Sequence, residues 1–173
     1  MFEVLVYMFE HYINTPTNSP TNTQTNLHID TRYRPDDDTL SRELYAAGFD
    51  EDDISGAFDW FNQLEKMSGQ PDVFGNASQS NTRIFTDLEL SKISGESIGF
   101  ILFLVQANIL NTAQRELVLE LAMNLPQLKI NIEEMRWIVL MTTWGASKSG
   151  ADKTKEYLFI EDVLINKQKP TLH

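Results

Sequence analysis

No cysteine occurs in the chain, which removes disulfides, thiolate metal sites, iron–sulfur ligation and cysteine nucleophiles together. Positive charge is scarce: 14 lysines and arginines stand against 25 acids, a formal net charge of −11. Such a chain repels nucleic-acid phosphates and anionic lipid, because binding either draws on clustered Lys and Arg. Long apolar runs are lacking too. The apolar positions Phe2, Val4, Leu5, Met8 and Phe9 are interrupted by Glu3 and Glu10, with no basic stretch before them. The greasiest run, 98–110, holds Gly99, Gln106 and Asn108 and falls short of the ~20 residues a membrane span requires. The chain therefore reads as a cytoplasmic protein without a membrane segment.

Histidine is sparse: His11, His28 and His173 have no second His at ligand spacing, so neither metal nor cofactor is expected. There is no Gly-x-Ser-x-Gly, Ser-x-x-Lys or Walker pattern, and Ser147-Lys148-Ser149-Gly150 lacks the leading glycine of a phosphate cradle. Carboxylates are plentiful at Asp36-Asp37-Asp38 and Asp50-Glu51-Asp52-Asp53, but neither run has the alternating spacing and central glycine of a calcium loop. Both precede helical patterns, where free N–H groups and the helix dipole stabilise negative charge. No catalytic residue is assigned.

What the sequence does contain is helix punctuation. Three starts are written alike, around Asp50, Thr86 and Asn131: a short polar residue, an acid three positions later, and apolar residues outside and inside the first turn. The first helix is predicted over 2–13, with Leu5, Met8, Phe9 and Tyr12 as its stripe. Residues 14–35 read as a disordered tether, since 14–26 use only Asn, Thr, Pro, Ser and Gln and offer nothing to bury. A second helix follows the Asp36 run and ends at Gly48, the residue suited to a left-handed cap. The Asp50 helix carries Ile54, Ala57, Phe58, Phe61 and Leu64, and the short link between the two implies an angular helical hairpin.

Residues 67–82 are a polar loop, after which 83–173 are predicted as a C-terminal bundle, leaving 1–66 as an N-terminal lobe. Within that bundle the helix over 96–110 is apolar nearly all round and is predicted to be central. Asn111 and Gln114 form a further capping pair, Pro126 ends the helix between, and a last helix is predicted over 152–165. The fold class is all-α, a helical bundle in two small lobes.

With the elements placed, the chain resembles the Smg proteins of proteobacteria. The resemblance runs through Met1-Phe2-Glu3-Val4-Leu5, Ala47-Gly48-Phe49, Arg83-Ile84-Phe85-Thr86 with Glu89, Gly99-Phe100, Arg115-Glu116, and Trp137 with Val139-Leu140-Met141. It implies a helical fold over nearly the whole chain and carries no established activity, cofactor or catalytic residue. Residues 14–26 depart from the pattern, being longer and more polar than the family's link between its first two helices.

The tryptophans Trp60, Trp137 and Trp144 suit docking, because Trp and Arg are enriched where partners meet. Arg136, Trp137 and Trp144 are the candidate partner-binding residues, on a helix with more apolar surface than one contact face covers. The expected function is non-enzymatic protein–protein interaction, with a basic protein as partner. The alternative is a nucleic-acid-associated regulator using the hairpin or the Lys-bearing segment 148–169, where five bases face four acids. Direct nucleic-acid binding is disfavoured because the Asp50 helix would present Glu51, Asp52, Asp53 and Asp59 to phosphate.

Overall fold

The computed structural model describes residues 1–13, 37–68 and 83–146, with 12, 13, 37 and 144–146 described by backbone alone. The described residues form seven α-helices: α1 Phe2–Met8, α2 Asp37–Ala46, α3 Glu51–Ser68, α4 Asp87–Lys92, α5 Gly95–Gln106, α6 Thr112–Met123 and α7 Ile132–Ala146. A π-helical turn, Phe9–Ile13, continues α1. No strand forms among the described residues, and the fold is all-α as the sequence predicts. The predicted tether, the greater part of the polar loop and the predicted last helix lie outside the described residues. The chain divides into two compact units, Met1–Ala57 and Phe58–His173, with the boundary inside α3.

In the first unit the core comes from three helices. Val4, Leu5, Met8, Phe9, Leu40, Leu44, Ile54 and Ala57 are no more than 2 % exposed. Each large member contributes about 1.5–3 kcal/mol on leaving water. The α2 helix ends where Gly48 adopts φ +97°, with Phe49 N–H donating to Leu44 O at 3.2 Å and Gly48 N–H to Tyr45 O at 3.0 Å. These are the paired bonds of a Schellman end, which needs the left-handed residue that glycine supplies. Asp53, three residues beyond Asp50, pairs with the Met1 amino group at 2.5 Å. Next to it Gly56 leaves room for Met1: a Cβ there would lie 2.9 Å from Sδ.

The second unit is built by α6 and α7 against each other, with α5 packed on both. Two of its helices open with closed capping boxes, Thr86–Glu89 and Asn111–Gln114. The third, at α7, has Asn131 Oδ1 accepting from the N–H groups of Glu133 and Glu134 while Glu134 accepts from Asn131 N–H. Ile130 and Met135, the apolar residues flanking that cap, are fully buried.

Between α4 and α5 the chain is extended at Ile93 and Ser94. Ser94 caps α5 by accepting from Ser97 N–H at 3.2 Å, and Gly95 is the first helical residue. The extended link is stitched to Ile130: Ile130 N–H donates to Lys92 O at 2.6 Å, Ser94 N–H to Ile130 O at 3.0 Å, and Ile93 and Ile130 form an isolated parallel bridge. Lys92 Nζ then donates to the carbonyls of Met123 and Leu125 at 2.7 and 2.5 Å, placing a cation on the C-terminal end of α6.

The predicted central helix is corrected. It ends at Gln106, where Asn108 takes φ 56° and Ile109 and Asn108 N–H bond back to Leu104 and Val105 carbonyls. Only Ser97, Ile101 and Leu104 are buried along it, whereas Gly99, Leu102 and Phe103 face solvent. Apolar periodicity on every face gives no direction, so it could not tell which side packs.

Candidate interaction surface

The second unit holds an internal cluster of four charges. Arg83, just before α4, points Nε at both carboxylate oxygens of Glu116 on α6, at 2.9 and 2.8 Å. Its Nη1 and Nη2 grip Glu89 on α4 at 3.0 and 2.6 Å, and its guanidinium lies 4.8 Å over the Phe85 ring. The buried Arg115 also reaches Glu116, with Nε at 2.8 Å and Nη2 at 2.7 Å. Two cations and two anions thus interlock. Planar Arg–carboxylate pairing of this kind gives geometry as well as energy.

Hydrogen bonds from Arg83 hold the Glu89 carboxyl down to about 2, against burial that pushes it up, with Thr86 N–H and Oγ1 adding to the effect. Glu89 in turn raises the Arg83 pKa, against burial. A carboxylate ionised through the neutral range and gripped on both oxygens is poorly suited to general acid chemistry, which needs a pKa near the working pH. The cluster ties the start of α4 to α6. The sequence reading did not find it, because no local spacing rule joins residues 33 positions apart.

The structure places the predicted contact residues unevenly. Arg136 is buried, 6 % exposed, with Nη1 on Glu133 at 2.7 Å, its guanidinium 5.8 Å from the Phe100 ring centre and Nε without a hydrogen-bond partner among the described residues. Trp137 is half-buried on α7, and the side chain of Trp144 lies outside the described residues. Trp60 is core: 2 % exposed, with Nε1–H donating to Leu121 O at 3.0 Å. Arg136 and Phe100 join α7 to α5 and so fix the helix that carries Leu102 and Phe103, which are 43 % and 51 % exposed. Around α4, Ile84 and Leu88 are wetter still, at 88 % and 73 %. Among the described residues no group of His, Asp and Glu is arranged to hold a metal ion, and no helix is long and apolar enough to cross a membrane.

Capped helices, an interlocked charge cluster and apolar side chains turned to solvent define, among the described residues, an all-α protein. The chain belongs to the family described as "Protein of unknown function (DUF494)", whose profile matches residues 1–173. Curated relatives carry the name "Protein Smg homolog". That of Methylobacillus flagellatus is 45% identical over 173 residues, all of both chains. Those of Shewanella woodyi and Vibrio atlanticus are 32% and 33% identical, over all of this chain and 99% of their own. The Smg resemblance read from the sequence is therefore correct. No solved structure matches the chain.

Proposed function

We propose that the chain is a non-catalytic docking protein of the cytoplasm, binding another protein through helix faces of its second unit. The observation that supports this is the outer side of α5, where Leu102 and Phe103 stand wet beside a helix already buried along Ser97, Ile101 and Leu104. Adjacent apolar groups of this size add nothing to the monomer and become favourable only when covered, by about 1.5–3 kcal/mol each when fully buried. The Glu89 cluster supports the non-catalytic part, because its carboxylates are occupied in holding α4 to α6. Trp137 and Trp144 on α7 are assigned as companion anchors, with Arg136 positioning α5 through Phe100. The net charge of −11 favours a basic partner.

The test is affinity capture from a lysate, followed by titration with the purified captured protein. Phe103→Ser and Trp144→Ala should each weaken binding roughly tenfold, the range of interface anchors, with helical circular dichroism and melting unchanged. Undiminished binding by both folded variants would defeat the proposal.

A further inference from the structure

The first unit carries a surface of different character. Phe2, Val6, Tyr7 and Phe49 line a shallow groove of about 290 Å³, and its other two lining residues are Glu3 and Glu10. The apolar members are half-buried and both acids are exposed. Tyr7 stands edge-on to Phe49 at 5.4 Å between ring centres, which braces one wall. Glu3 and Val6 lie three residues apart on α1 and Glu10 lies in the π-helical turn that continues it, so the two acids stand on either side of Val6 along the chain and both line the groove. Neither acid has an ion-pair partner among the described residues. The unit around them holds eleven acids and three bases over 1–57, a balance of −8.

We infer that this groove seats a basic amphipathic helix of the partner protein. One apolar side chain would lie on Val6 and Phe49, and Lys or Arg residues about two turns apart would meet Glu3 and Glu10. The inference rests on the docking function proposed above and names the partner's chemistry. A greasy floor between two carboxylates selects against acidic and uncharged helices alike: the first is repelled and the second leaves the acids unmatched. It selects against a second copy of this chain as well, since two surfaces of −8 repel.

The test uses the full chain and a synthetic helical peptide of about four turns, leucine on one face and lysine on the other. A second peptide with glutamate replacing lysine is the comparison. Binding is followed by methyl NMR of Val6 and by fluorescence anisotropy at two salt concentrations. The lysine peptide should shift the Val6 methyls and bind more weakly as salt rises. The double variant Glu3→Gln/Glu10→Gln should lose roughly fivefold or more in affinity, from two exposed charge pairs. A control, Glu51→Gln/Asp52→Asn, neutralises as many acids on α3 and should lose much less.

Equal binding of the glutamate peptide, equal loss in the control, or binding that leaves the Val6 methyls unshifted would each overturn the inference. The Phe103 and Trp144 variants act on the second unit, so failure of the groove and failure of the docking function give different results.

Discussion

The two units use charge in opposite ways. Residues 1–57 carry eleven acids against three bases, and residues 58–173 carry fourteen acids against eleven bases, balances of −8 and −3. In the second unit Arg83, Arg115, Glu89 and Glu116 turn toward one another and pin helices that are distant in sequence. In the first, Glu3, Glu10, Glu51 and Asp52 are exposed, and their field is available to whatever approaches. The same residue types thus serve cohesion in one place and attraction in the other. What decides between them is whether an arginine is folded in beside the carboxylate.

The most severe way to break this contrast is Arg83→Ala, which leaves Glu89 and Glu116 facing each other without their shared cation. Chemical denaturation should show a loss of about 3 kcal/mol, the scale for removing one partner of a largely buried pair. An effect of similar scale should appear with pH. Because Glu89 is held at about 2 in the folded chain and returns to about 4.5 on unfolding, the unfolded state takes up the proton first. Its stabilisation is complete above that ordinary value and is lost as pH falls toward about 2. Thermal melts over this range should show the acid-side slope in the parent and a reduced slope in Glu89→Gln.

The smallest effects compare the two helix ends. Gly48→Ala in the first unit forces a Cβ into φ +97° and should cost about 1–2 kcal/mol. Asn108→Gly in the second relieves an Asn at φ 56° and should gain up to about 1 kcal/mol. A gain from Gly48→Ala, or a loss from Asn108→Gly, would show that the Schellman geometry is not what terminates these helices.

Much of the local structure was legible in the sequence. The Thr86, Asn111 and Asn131 caps follow from residues three apart, and Gly48 follows from the end of an apolar stripe, because these bonds form within a single turn. Lys92 on the end of α6, Ile93 beside Ile130 and Arg83 on Glu116 were not legible, since each joins segments more than thirty residues apart. Burial side was the other gap. Trp60 and Trp137 look alike as letters, yet one indole finds the Leu121 carbonyl and is buried while the other is half-exposed. Of the three candidate contact residues, Arg136 was drawn into the core by Phe100 and Glu133, partners that charge patterning alone does not rank above solvent.

The stitch between Lys92 and Ile130 also sets a timetable. A ribosome adding about 5–20 residues per second delivers the second residue roughly two to eight seconds after the first. For the last 24 residues of that interval α5 is complete, apolar on most sides, and without the segment that anchors its start. The newborn chain therefore passes through a stage in which chaperones have more apolar surface to hold than the finished protein ever shows.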